Sequence, residues 1–310
     1  MFEVNNSLFD RLKKSIKDHE KIVFLVGSGI SKSAGIPTGP EIVDILKKEF
    51  HLDPNKNYTY SEAFEAALPG PENRGRRRAF IEDLCAGKKP QFEHHALIHL
   101  MQKGIISAIV TTNFDHLLEG AATFYGKNAP LIYSHDVEMD PVESISSYPK
   151  IIKIHGDFLY DNIANLEEEE EARLNSNMRN RIANNMKGNH LVVLGYSGSD
   201  RTVMRFIEET ALSPENNIAG IHWVYRKNKN SNHGKLLRAL SSKLVIKNIF
   251  EYAPTTNASE FLKAFSSEFG IEIRPVKFGI QEREGLEFIN TFPHFVKITF
   301  CLFKLSFPKI

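Results

Sequence analysis

Four short segments hold the residues able to do chemistry, and each closes an apolar run. They are Gly27-Ser28-Gly29-Ile30-Ser31, Thr112-Asn113-Phe114-Asp115, His155-Gly156-Asp157 and Gly195-Tyr196-Ser197-Gly198-Ser199-Asp200. The first sets two glycines among small hydroxyl residues, so its backbone can approach a phosphate closely and offer N–H groups to it. The second brings a neutral amide, Asn113, with a donor and an acceptor suited to a ribose hydroxyl or a water. The third brings His155, whose unperturbed pKa of about 6.5 suits a general base at neutral pH. The fourth suits the other half of a dinucleotide, with Ser197 and Asp200 as hydrogen-bonding groups. All four read as turns after parallel strands, where ligands gather in an open α/β sheet.

Each segment also has a plainer reading. Gly27-Ser28-Gly29 is equally a tight turn without a ligand, and the third glycine of the dehydrogenase fingerprint is replaced by Lys32, which disfavours hydride transfer. Asp115 and Asp200 both stand where a helix would begin, so either can be an N-cap. His94, His95 and His99 have helical spacing without a carboxylate partner and read as a helix surface or core edge. The basic run Arg74 to Arg78 and the acidic run Glu167 to Glu171 read as solvated helix faces.

The elements that must position these turns follow from periodicity. Ile22–Val26 is a short, wholly apolar, β-rich run of the kind buried in parallel sheets. Similar runs cover 105–110, 151–154, 191–194, 221–225 and 244–249. Helical patterns separate them at 92–103, 115–125, 200–210 and 258–269, with Gly104 and Gly270 as C-caps. This alternation predicts an α/β fold, a doubly wound parallel (Rossmann-like) sheet. The stretches at about 41–100 and 161–187 are too long and too helical for simple crossovers and predict an inserted helical subdomain over the carboxyl edge. Residues 1–275 thus read as one catalytic domain. Residues 276–310 form a tail with strand-like alternation at Val296, Ile298 and Phe300, suited to covering a sheet edge or docking a partner.

Bulk properties narrow the class. The 310 residues carry a formal charge of +1, so no global field favours nucleic acid or an anionic membrane surface. Two cysteines, Cys85 and Cys301, build neither a disulfide framework nor a four-cysteine zinc site. Met1–Glu20 is amphipathic and charged, unlike a signal peptide, and no apolar run is long enough for a bilayer. A cytoplasmic protein is expected.

Taken in order, the four segments resemble the sirtuin family over about residues 20–270. Gly27-Ser28-Gly29-Ile30-Ser31 with Ala34-Gly35-Ile36-Pro37 is similar to its nucleotide loop, Thr112-Asn113-Phe114-Asp115 to its Asn/Asp motif, His155-Gly156 to its catalytic pair, and Gly195-Tyr196-Ser197 to its late nucleotide-binding turn. The paired zinc cysteines of the protein deacylases are missing, and Thr38-Gly39-Pro40 stands where they carry Phe-Arg. No zinc module and no metal are therefore expected. The chain is more similar to the bacterial sirtuin-like branch of anti-phage defence, whose members hydrolyse NAD. That resemblance implies Asn113 and His155 as catalytic residues. It implies Gly27, Ser28, Gly29, Ser31, Asp115, Gly195, Tyr196 and Ser197 as contacts to NAD, consumed as a substrate. It also implies a gated effector of abortive infection, a homo-oligomer or the companion of an Argonaute-like protein, a motor ATPase or a sensor domain. An NAD-dependent deacylase or ADP-ribosyltransferase, and a non-catalytic NAD or ADP-ribose sensor, are the alternatives.

Overall fold

The computed structural model describes residues 6–124, 129–134, 148–160, 163–227 and 234–273. The tail at 276–310 lies outside them, as does its expected strand. Seven strands form one sheet: β1 (Ile22–Val26), β2 (Ile106–Thr111), β3 (Leu131–Tyr133), β4 (Lys150–Lys153), β5 (His190–Leu194), β6 (Gly220–Arg226) and β7 (Phe250–Thr255). Their order is β3-β4-β2-β1-β5-β6-β7, and every pairing is parallel. The order reverses at β1, which places the crevice of a doubly wound sheet beside the turn at Gly27.

The helices in chain order are α1 (Asn6–Lys17), α2 (Gly39–Glu49), α3 (Tyr60–Ala67), α4 (Arg74–Cys85), α5 (Phe92–Gln102), α6 (Leu117–Ala122), α7 (Glu167–Arg173), α8 (Ser176–Met186), α9 (Arg201–Leu212), α10 (Lys235–Val245) and α11 (Ala258–Glu268). The two-residue period of a strand sends Ile22, Phe24 and Val26 to one face and Val23 and Leu25 to the other. The first face packs against Phe9, Leu12, Leu97, Met101, Phe261 and Phe265, from α1, α5 and α11. The second packs against Met178, Ile182, Val203, Ile207 and Leu240, from α8, α9 and α10. Each such side chain, fully buried, contributes roughly 1.5–3 kcal/mol, so both faces of β1 hold the sheet in a helix sandwich.

A third core is built by α2, α3 and α4. Leu46, Phe64 and Ile81 pack together, and Phe114, Phe158 and Leu166 lean on them. Capping boxes at Thr38 with Glu41 and at Thr59 with Glu62 start α2 and α3, satisfying N–H groups that a helix leaves unpaired. The long helical stretches read from sequence are not uniform in what they pack against. Helix α5 covers the sheet itself, and α8 is a true crossover, because Met178, Ile182 and Met186 recur at four-residue spacing and pack beneath it.

Two strands depart from the periodicity. The apolar run 244–249 is the end of α10 and a turn, with Val245 and Ile246 53% and 87% exposed. The strand follows at Phe250–Thr255, and its Pro254 is tolerated because β7 is an edge strand. The three-residue β3 closes the other edge and was too short to carry a pattern.

Candidate active site

Strand register brings the four turns to one level. Val26 of β1 pairs with Thr111 of β2 and with Leu194 of β5, and Thr111 pairs with Lys153 of β4. Two residues beyond these matched ends stand Ser28, Asn113, Tyr196 and His155. The sheet thus lines up a hydroxyl, an amide, a phenol and an imidazole along its carboxyl edge.

The glycines let two of these turns touch. A Cβ on Gly29 would lie 2.7 Å from Gly195 Cα, and one on Gly195 would lie 2.9 Å from Ile30 N. Gly195 also has φ +67, the left-handed region. The N–H groups of Gly27 and Gly29 bond to the carbonyls of Leu194 and Gly195, and those of Ile30 and Ser31 close on Gly27 and Ser28. The glycines therefore serve contact between loops, and these four N–H groups are engaged inside the protein instead of standing free for a phosphate. Ser28 Oγ accepts from Gly39 N at 3.4 Å, at the start of α2. Ser197 is exposed, with its Oγ 2.9 Å from Ser199 Oγ.

Ser31, Asn113 and Asp115 form one buried network with His94. Ser31 Oγ donates to Asp115 Oδ2 at 2.8 Å, accepts from Asn113 Nδ2 at 3.1 Å, and lies 3.2 Å from His94 Nε2. His94 Nδ1 accepts from Gln91 N, so its proton sits on Nε2 and points at Ser31. Burial lowers the His94 pKa, which suits a neutral ring. Asp115 Oδ1 also accepts from Leu117 N at 3.0 Å. The aspartate thus accepts from the first amide of α6 with one oxygen and orients Ser31 with the other. His94 is fully buried, not on a helix surface. The Asn113 amide is fixed through its nitrogen, and its oxygen accepts from no group among the described residues.

His155 meets a pair of carboxylates. Its Nε2 lies 2.7 Å from Asp200 Oδ2, though off the axis of a straight hydrogen bond, so neither atom makes one. The contact is an ion pair, whose attraction depends on separation. Burial pushes the imidazole pKa down, but Asp200 outweighs it and the net direction is up. Burial likewise raises Asp200, and His155 overrides it downward. Asp200 Oδ1 meanwhile caps α9 through Val203 N at 3.0 Å. Glu170 of α7 completes the group, with ligand atoms of all three residues within 4.8 Å of one another. Burial raises the Glu170 carboxyl to about 7, with His155 lowering it and Asp200 raising it. Beside them the Tyr196 hydroxyl is enclosed without a hydrogen-bond partner among the described residues. The Phe114 ring stands 6.0 Å from the His155 ring and 6.5 Å from Tyr60 of α3.

A second polar knot ties the Asn113 turn to the His155 turn. Lys153 is fully buried at the end of β4. Its ammonium donates to the carbonyls of Phe114 and Asp115 at 3.3 and 2.9 Å, to Asp157 Oδ2 at 2.8 Å and to Glu119 Oε1 at 3.0 Å. Asp157 Oδ1 takes His116 Nε2 at 2.5 Å and Leu159 N at 2.9 Å. Burial alone would raise the Asp157 carboxyl, but His116 and Lys153 hold it at about 2. His116, Glu119 and Asp157 have metal-ligand spacing, yet the Lys153 ammonium already supplies the cation there.

Residues 107–245 match a SIR2-like domain. That domain spans the Asn113, His155 and Gly195 turns. Defense-associated sirtuin 2 of Bacillus subtilis is 28% identical over 141 residues, 44% of this chain and 13% of that protein. NAD-dependent protein deacetylase 2 of Caldanaerobacter subterraneus is 27% identical over 122 residues, 39% of this chain and 46% of that protein. The NAD-dependent protein deacetylase of Clostridium tetani is 32% identical over 115 residues, 36% of this chain and 44% of that protein. The chain thus aligns with less than half the length of each of these relatives. Among solved structures, one described as a structural basis of sirtuin substrate affinity has a TM-score of 0.49 at 17% identity, covering 85% of this chain and 98% of that one. Another, described as a complex of Sir2 with a p53 peptide and NAD+, has a TM-score of 0.48 at 15% identity, covering 86% and 99%. No helix among the described residues is long and apolar enough to cross a membrane.

Four residues of this edge were not singled out for chemistry from sequence. Asp200 was weighed as a cap and a hydrogen-bonding group. Lys153 carries a signal, since a lysine inside Ile151-Ile152-Lys153-Ile154 must be buried or break the strand. His94 and Glu170 carry none, because each is one of several like residues on a helix.

Proposed function

We propose that this SIR2-like domain cleaves the nicotinamide–ribose bond of NAD, yielding nicotinamide and ADP-ribose. The observation that carries the reading is the register-matched pair Asn113 and His155 on adjacent strands, with the imidazole held against Asp200. Once the His155–Asp200–Glu170 group has given up a proton, the neutral imidazole, with Nε2 facing Asp200, offers the lone pair of Nδ1 as a base. The bond between C1′ and the pyridine nitrogen breaks with its electron pair passing to nicotinamide, which leaves neutral and needs no strong acid. The ribose develops oxocarbenium character, as in other glycosidic cleavages. Water, oriented by the Asn113 amide oxygen, bonds to C1′ and gives its proton to His155, from which it passes to solvent. Gly27, Ser28, Gly29, Ser31, Asp115, Gly195, Tyr196 and Ser197 are proposed to line the dinucleotide, Asp115 by fixing Ser31 and Asn113.

The similarity to a defence-associated sirtuin supports a gated effector of anti-phage defence, since free NAD hydrolysis would harm the cell that makes it. Gating by self-association or by a partner such as an Argonaute-like protein, a motor ATPase or a sensor domain belongs to this proposal. The deacetylase relatives favour a second reading, in which an acylated peptide is consumed in step with NAD.

The test is incubation of the purified chain with NAD alone, at several protein concentrations, with nicotinamide and ADP-ribose followed by chromatography. Release by the parent, and a loss of about 10²-fold or more in His155→Ala and Asn113→Ala, is expected. Nicotinamide release only when an acyl peptide is added would replace hydrolysis with deacylation.

A further inference from the structure

The run Glu167 to Glu171 is not uniform in its partners. Glu167 faces Arg201, Glu169 pairs with the buried Arg77, and Glu171 pairs with Arg205. Glu170 is the buried member, 4% exposed, and among the described residues its carboxylate accepts the Ser61 hydroxyl alone, at 3.2 Å. Arg173, one turn on, donates to the carbonyls of Ile154 and Ser134. Tyr60 and Tyr196, the titratable groups facing Glu170 from α3 and the fourth turn, have pKa values driven up by burial and stay neutral. Among the described residues, the cationic side chain paired with the two carboxylates, Glu170 and Asp200, is His155, with Arg173 acting on that imidazole from farther off.

A buried site cannot hold that surplus negative charge without a further positive one. Either a proton or a metal ion must supply it. Geometry favours the proton. Two ligands on one zinc ion at about 2.0–2.2 Å each stand well over 3 Å apart, whereas His155 Nε2 and Asp200 Oδ2 are 2.7 Å apart. We propose that Glu170 is a positioning residue for His155, holding a second proton in the His155–Asp200–Glu170 group so that the base titrates as part of that group.

The inference rests on the proposed role of His155 as base. As pH rises, Glu170 loses its proton first, and its new charge then holds the proton on His155. His155 becomes neutral only at higher pH than with Asp200 alone. The two steps belong to the group and not to either residue.

The test is NMR titration of the His155 ring in the full chain, assigned by loss of its signal in His155→Gln. Glu170→Gln and Glu170→Asp run alongside, with circular dichroism to verify the fold. The parent is expected to titrate in two steps. Glu170→Gln is expected to titrate in one step, with a midpoint lower by about one pH unit, and Glu170→Asp to keep two. Where NAD is cleaved, the acid limb of kcat/KM moves down by the same amount in Glu170→Gln. An unchanged His155 titration in folded Glu170→Gln would overturn the inference. So would stoichiometric bound metal whose removal by a chelator reproduces the shift. A chain that binds NAD without cleaving it would sink the hydrolase reading alone, since the ring titration still decides the role of Glu170.

Discussion

Lys153→Met removes the ammonium that joins the Asn113 turn to the His155 turn while keeping most of the side-chain volume. In the parent this cation is fully buried and faces Asp157, which is 3% exposed, and Glu119, which is 17% exposed. Removing one member of a buried pair typically costs about 3–5 kcal/mol, because the other charge is left uncompensated. The lower end applies here. Asp157 keeps His116 and the Leu159 amide, and the partly exposed Glu119 can turn toward water. Two carbonyls also lose a donor, at about 1 kcal/mol each if they stay dry. A net loss of about 3–5 kcal/mol follows, the upper figure if both carbonyls stay dry, equivalent to a fall of about 1–1.7 M in the urea midpoint for m near 3 kcal/mol/M. Adding Asp157→Asn removes the stranded charge, so the double variant should recover part of the loss. Equilibrium urea unfolding followed by tryptophan fluorescence measures both. A midpoint within about 0.3 M of the parent, or a double variant less stable than the single, would refute the view of Lys153 as the joint between these turns.

Other outcomes follow from the same contacts. Gly29→Ala puts a methyl group into the Gly195 backbone and should cost about 1–3 kcal/mol, read as a lower melting temperature; an unaltered value would mean that the loops do not touch. Acid should weaken the fold in two windows. Burial holds His95 at about 4, and burial together with His222 does the same for His190. The unfolded chain therefore binds more protons between about 6.5 and 4, and stability falls as pH drops across that range. Asp157, held at about 2 against its ordinary 3.8, contributes stability above pH 3.8 that is lost as pH falls toward 2. Stability flat from pH 7 to 4 in urea titrations would contradict the histidine assignment.

Most of the sheet was legible because buried parallel strands announce themselves as short apolar runs, and β1 and β5 are buried at every position. The turns were legible for a related reason. A glycine such as Gly195, with backbone on both sides, leaves a mark in sequence that a packed leucine does not. What stayed hidden depends on which copy of a repeated residue faces inward. Arg77 lies in a run of arginines, yet it alone of α4's basic residues is fully buried, donating to Leu68 O, Gly70 O and Glu169. Glu170 is likewise distinguished from its four acidic neighbours only by helix phase. Runs 74–78 and 167–171 are therefore not merely solvated faces. One residue in each is turned inward, Arg77 on α4 and Glu170 on α7. The strand at 250–255 was missed because Glu251 and Pro254 break its apolar pattern, while Glu251 is accounted for by His222 and Arg11 beside it.

The two charged groups at the carboxyl edge use the same kinds of ligand to opposite ends. Around Asp157 the counter-charge is an ammonium tethered to β4, with four acceptors around it. That tether lets the knot hold the two turns in register. Among the described residues no lysine or arginine pairs with Asp200, and the balance is left to an imidazole and to a carboxyl raised to about 7. Such a group gives up protons in the range where a general base must operate. The distinction rests on one strand. Lys153 and His155 are two residues apart in chain, so one turn carries both the fixed charge that sets its position and the titratable ring that does its chemistry. Exchanging those roles, with a histidine at 153 and a lysine at 155, would leave the turn loosely held and its base protonated at neutral pH.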